Sequence, residues 1–128
     1  LGSLPAPAQP EPAEEKRPQQ RAARAELGAQ LFTQHCAACH GEQGDGQGLY
    51  PPLAGNRSLA LPSPNNLIKA IRHGGFGPST QANPRPFGMP PFGHVLSETE
   101  IAAVATHLRL RWGQGAGGVT ELQVLQTP

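Results

Sequence analysis

The residues best suited to chemistry lie in one short run, His35-Cys36-Ala37-Ala38-Cys39-His40. Two thiols stand three positions apart there, and an imidazole follows the second. Near the C-terminal end of a helix, cysteines at that spacing share roughly one face. Both thiols can then add to the two vinyl groups of one porphyrin as thioethers, leaving His40 over the macrocycle centre to offer Nε2 to an iron. C-x-x-C-H is the signature of covalent haem attachment. It predicts one haem c bound through Cys36 and Cys39, the chain's 2 cysteines. Three rival readings use the same residues. A thioredoxin-like redox pair requires a preceding strand and a βαβ pattern, and neither is present. A zinc site on Cys36, Cys39 and His40 requires a second ligand pair, for which the chain has no further cysteine. A Cys36–Cys39 disulfide leaves His40 without a role.

A second axial donor is expected from Met89, the only methionine, in the run GMPPFG. A methionine on a helix stripe is ordinarily a core gap-filler. Met89 instead lies between Gly88 and Pro90-Pro91, a backbone closely approachable yet rigid enough to hold a weak thioether at fixed distance. The competing donors are His35, His73, His94 and His107. His35 adjoins Cys36 and is awkward as a distal ligand. His107 falls on a helix stripe, while His73 and His94 read as surface or loop histidines.

Composition agrees with an interior that needs an insert. Gly 16 and Pro 15 make up about a quarter of the 128 residues, and only 37% are hydrophobic, against ~45–50% apolar in an ordinary domain. A small chain with so lean a core adds disulfides, a metal or a cofactor. The net charge of +1 gives no nucleic-acid footprint. No apolar run approaches the ~20 residues of a membrane span.

The elements that must position these groups are helices. Residues 1–20, with their prolines, read as an extended or disordered arm that would reach roughly 60 Å at ~3.1 Å per residue and could act as a tether. Without a basic segment followed by an apolar one, any export signal is expected to have been removed. A first helix is predicted from about Arg21 to Gln34, with Ala23, Leu27 and Leu31 on one face and Gly28 and Phe32 as a neighbouring pair. Gly28 costs about 1 kcal/mol there relative to Ala, and marks either a tolerated surface position or a close helix contact. Ser63-Pro64 reads as an N-cap and first helical position, opening a short helix through Leu67, Ile68 and Ile71 that Gly74 ends. Ser97 and Glu100 form a capping box, with Leu96 and Ile101 as the hydrophobic staple. The stripe Ile101, Val104, Ala105, Leu108 carries this helix to Trp112 and Gly113. The expected organisation is an arm over 1–20, a domain over 21–113, and an extension over 114–128 on or near it with no assigned element. The fold class is all-α, with no convincing strand pair.

In that order of elements the chain resembles the single-haem, His/Met (class I) c-type cytochromes over residues 21–112. The runs CAACHGEQGDGQG, PPLAG, GMPPFGHVLSETEIAAV and RWG are most similar to the cytochrome c domains of bacterial periplasmic dehydrogenases for alcohols, sugars or aldonic acids. The resemblance implies the class I fold, in which N- and C-terminal helices cross over a covalently bound haem. It implies that Gly28 and Phe32 meet Val104 and His107, where an aromatic is common at the His107 position. It also implies that the Pro51 carbonyl accepts a hydrogen bond from the His40 imidazole, that Leu53 lines the haem face, and that Gly55 closes the turn.

An iron with two protein ligands has no vacant site, which favours electron transfer over catalysis, and a His/Met pair raises the potential relative to bis-His. The alternative is a haem enzyme or gas sensor in which Met89 dissociates, with His94 and Arg85 in the same loop; a third class is a purely structural haem domain. The resemblance further implies a periplasmic location, with membrane association through a partner or a tether through the N-terminal arm both left open. A dehydrogenase would be the donor, and a terminal oxidase or another cytochrome the acceptor. Arg57, Lys69, Arg72 and Arg85 form a basic stretch that is either a solvated face balancing haem propionates or a steering patch for an acidic partner. Pro51, Pro52, Pro90, Pro91 and Phe92 are expected to form an apolar rim.

Overall fold

Helix α1 spans Pro18–His35 and α4 spans Glu98–Trp112, and the contact between them is the most extensive in the structure. The structure is a computed structural model and describes residues 18–46, 53–55, 57–76 and 88–128. The expected arm lies outside these residues, save that α1 begins at Pro18 rather than Arg21. Proline suits a first helical position, because its missing N–H would have had no intrahelical partner.

The α4 start follows its sequence signature. Ser97 N donates to Glu100 Oε1 at 2.9 Å, Glu100 N donates to Ser97 Oγ at 3.2 Å, and Gly113 follows the last turn. Leu96 and Ile101, the expected staple pair, are both buried. Burial on α4 exceeds the predicted stripe, since Ala102, Ala103, Thr106 and Arg109 are buried as well. Polypeptide therefore covers α4 on more than one side.

Gly28 marks a close approach. A Cβ at this position would land on the Ala103 carbonyl oxygen and lie 2.9 Å from His107 Cβ. One turn further, Phe32 is 2% exposed. Its ring centroid lies 5.3 Å from that of His107 and 5.5 Å from that of Trp112. His107 and Trp112 meet edge to face at 5.8 Å, a spacing at which aromatic pairs attract beyond simple burial.

Among the described residues, none gives the buried His107 Nε2 a hydrogen bond. Burial first, and the Arg111 charge second, push its pKa below the ordinary 6.5. The unfolded chain therefore takes up this proton at a higher pH than the folded one. Stability from the neutral ring is fully present above about pH 6.5 and is lost as pH falls through the lower folded value. The melting temperature of the haem-bearing protein is expected to fall more steeply below pH 6.5 than that of His107→Phe. Parallel melting curves for the two proteins on acidification would refute this.

Helix α3 covers Asn65–His73 and buries Leu67, Ile68 and Ile71. It starts one residue later than expected. Pro64, at ψ 7°, is the capping residue, and Ser63 Oγ accepts from Asn65 N at 3.2 Å. A two-residue antiparallel ladder, unexpected from the sequence, joins β1 (Gly75–Phe76) to β2 (Gly88–Met89), with Gly75 opposite Met89. It is too short to alter the all-α class.

The extension contains a helix that was not foreseen, α5 (Glu121–Leu125), opened by a capping box of Thr120 and Gln123. Val119 and Val124 are fully buried. Thr106 Oγ1 donates to Val119 O and accepts from Val119 N, both at 2.9 Å. Among the described residues no helix is long and apolar enough to cross a membrane.

Candidate haem site

The cysteine run sits at a joint rather than at a plain helix end. Cys36 takes φ −119°, ψ −32° between α1 and the one-turn helix α2 (Ala37–His40). Cys36 N still donates to Phe32 O at 2.8 Å, while Cys39 N and His40 N both donate to Cys36 O at 3.2 and 2.9 Å. The motif is thus wound as a tight turn continuous with α1. The loop beyond it folds back on the motif. Gly46 N donates to His40 O at 2.7 Å, and Gly44 O accepts from Leu53 N and Ala54 N at 2.7 and 2.8 Å. These bonds return Leu53 to the vicinity of His40.

Beneath the joint lies an apolar cleft of about 200 Å³. The first helices and the joint between them supply Phe32, Cys36 and His40 to its walls, the returning chain supplies Leu53, and a 3-10 turn over Arg57–Ala60 supplies Leu59. Helix α3 supplies Asn66, Leu67, Ala70 and Ile71; the Met89 strip supplies Met89, Phe92 and Leu96; α4 supplies Val104 and Leu108. Four expected site residues, Cys36, His40, Leu53 and Met89, therefore face one space. Cys39, half-buried, is outside that lining. Pro51 falls outside the described residues, as do Pro52 and Arg85.

The donor set fits a covalently bound haem. Neither cysteine is in a disulfide. Burial, and secondarily Cys39, push the Cys36 thiol up to about 11. The apolar wall suits the neutral sulfur of a thioether. Among the described residues no three His, Cys, Asp or Glu side chains converge on a metal position, so Cys36, Cys39 and His40 do not form a zinc cluster. Of the 5 histidines, all described, His40 alone lines the cleft. His73 and His94 are exposed, and His35 rests edge-on against Phe92 at 5.8 Å.

Several wall residues carried no sequence signal of their own. Asn66, Ala70 and Leu59 are ordinary residues that the fold carries to the cleft. Of the expected basic stretch, Arg57 and Lys69 are exposed, but Arg72 is turned onto the extension, where backbone carbonyls take its donors. A charge pattern along the chain does not reveal which cations the backbone recruits.

Residues 25–112 match the family model described as Cytochrome c. The chain is 36% identical over 104 residues to the cytochrome c subunit of the alcohol dehydrogenase (quinone) of Gluconobacter oxydans (strain 621H), covering 78% of this chain and 22% of that protein. It is 35% identical over 95 residues to the gluconate 2-dehydrogenase cytochrome c subunit of Pantoea cypripedii, covering 71% and 21% respectively. With cytochrome c-552 of Thermus thermophilus it shares 33% identity over 90 residues, covering 67% of this chain and 68% of that one. The chain spans about a fifth of the length of the two dehydrogenase subunits. Its joint, its apolar cleft and these matches agree on one conclusion: the chain belongs to the cytochrome c family, with the all-α fold and covalent haem c of that family.

Proposed function

We propose that this chain is a periplasmic one-electron carrier that takes electrons from a dehydrogenase and hands them on towards the respiratory chain, with His40 and Met89 as the axial ligands of its haem. The observation that carries the reading is the placement of His40 and Met89 on one apolar cleft with Cys36. When bound, the haem supplies a one-electron Fe(III)/Fe(II) couple. The chain's own residues do the rest. Cys36 and Cys39 hold the group by thioethers, His40 offers an imidazole, and Met89 offers a soft thioether that favours the reduced state. Leu59, Leu67, Ile71 and Leu108 keep water from the cleft, which limits the reorganisation that accompanies each electron.

The relatives named as dehydrogenase cytochrome subunits support a dehydrogenase as donor. The periplasmic reading rests on chemistry, because thioether attachment needs reduced cysteines and a lyase system that in bacteria works outside the cytoplasmic membrane. Pro90, Pro91 and Val95 are exposed beside Met89 and Phe92. A small apolar rim of this kind suits the weak, small contacts of redox partners.

Met89→Ala tests the ligand assignment. The variant is expected to lose the thioether-to-iron charge-transfer band of the ferric protein, to show a lower reduction potential, and to gain carbon monoxide binding when reduced. Wild-type protein that already binds carbon monoxide, or a variant with an unchanged spectrum, would refute the assignment.

A further inference from the structure

Met89 stands on a strip of chain that has no helix of its own, so its position must come from neighbours. Three backbone links tie that strip to the end of α3. Gly75 pairs with Met89 in the short ladder. Phe92 N donates to Ile71 O, and Gly93 N to Arg72 O, both at 3.0 Å. Between these links Gly74, at φ 66°, lies so close that a Cβ would land on the Met89 carbonyl and fall 2.8 Å from the carbonyl carbon of Pro90. Where the end of α3 lies therefore decides where Met89 lies.

That end is held by Arg72. Its Nε donates to Thr127 O and one terminal nitrogen to Val124 O, both at 3.0 Å. These carbonyls belong to the last turn of α5 and the residues just beyond it. The end of a helix carries partial negative charge, and bonds from a charged donor are stronger than neutral ones. The other terminal nitrogen approaches Glu98 at 3.8 Å, a partly exposed contact of little worth. Helix α5 is in turn seated on α4 by Val119, Val124 and the paired Thr106 bonds. All of α5 lies beyond the residues matched by the family model.

We propose that Arg72 is a positioning residue for Met89: through it the C-terminal helix clamps the end of α3 and so sets how firmly the thioether is presented to the iron. The proposal rests on the reading of Met89 as a ligand.

The test compares holoproteins carrying Arg72→Gln, Arg72→Lys and Leu125→Gln, the last on the exposed side of α5. Each ferric protein is titrated with imidazole, which competes with the thioether, and each reduction potential is measured. Arg72→Gln is expected to be half-displaced at a roughly tenfold lower imidazole concentration and to have a lower potential. Arg72→Lys should fall between it and wild type, and Leu125→Gln should match wild type. If Arg72→Gln yields no haem protein, Val124→Ala, which loosens the same clamp by a cavity, should shift both readings in the same direction by less. A variant that melts earlier but keeps the wild-type imidazole midpoint and potential would overturn the proposal, leaving Arg72 a role in stability alone. A wild-type protein without the thioether charge-transfer band would overturn the Met89 assignment itself, at a step before any Arg72 variant is read.

Discussion

Gly28→Val is expected to destabilise the haem-bearing protein by about 3 kcal/mol, the upper part of the usual range for overpacking. The new Cβ would meet the Ala103 carbonyl, with the carbonyl carbon at 2.5 Å and His107 Cβ at 2.9 Å. A backbone carbonyl inside a helix cannot rotate away, so α1 and α4 must separate. Helix propensity works in the opposite direction, since valine is a better interior helix former than glycine by less than about 1 kcal/mol. The clash outweighs that gain. Separation also reaches the site, because Phe32 comes to the cleft from α1 while Val104 and Leu108 come from α4. The expected readout is a melting temperature lower by roughly 10 °C, with a matching fall in the urea midpoint. Gly28→Ala is the sharper control. It has the best helix propensity and the same Cβ, so a gain in stability would show that contact between the helices does not limit this position.

What the sequence made legible is local. Leu96, Ser97, Glu100 and Ile101 all fall between positions 96 and 101, so a capping box with its staple is written in one short run of residues. The cysteine run is legible for the same reason, because its chemistry depends on a fixed spacing. Met89 stood out as a lone thioether between glycine and proline. Helix α5 had an equivalent signal in Thr120 and Gln123, a capping box ahead of Val124. That signal was hidden by the glycines before it and by a helix too short to show a period. The ladder between Gly75 and Met89 depends on a pairing between segments well separated in sequence, which no local pattern specifies. Arg72 and Arg109 were the hardest to read. Both are recruited by backbone carbonyls, and carbonyls are the same at every position of a chain.

Arg109 carries the second large effect. It is 1% exposed, and among the described residues no carboxylate pairs with it. Its Nε donates to Gly117 O at 2.8 Å, and one terminal nitrogen donates to Leu61 O at 2.7 Å. The other reaches Pro62 O only at 3.5 Å. Burial presses its pKa below the usual arginine value, yet a guanidinium keeps its charge at any pH at which the protein is folded. One side chain thus ties two irregular segments, the turn after Leu59 and the glycine-rich approach to Val119, to the last turns of α4. Arg109→Leu removes two bonds from a charged donor to the part-buried Leu61 and Gly117 carbonyls, each worth about 1.5–3 kcal/mol, so a loss of about 3 kcal/mol in urea unfolding is expected. Arg109→Lys keeps the charge but lacks the planar fork that reaches both carbonyls at once, and its loss should be smaller. Because Leu59 walls the cleft, faster hydrogen exchange over residues 59–62 and 116–119 should accompany both changes, most in the leucine variant. Equal stability of the leucine and wild-type proteins would mean that water serves these carbonyls as well as the guanidinium does, and that the two segments are held by the burial of Leu59 and Val119 alone.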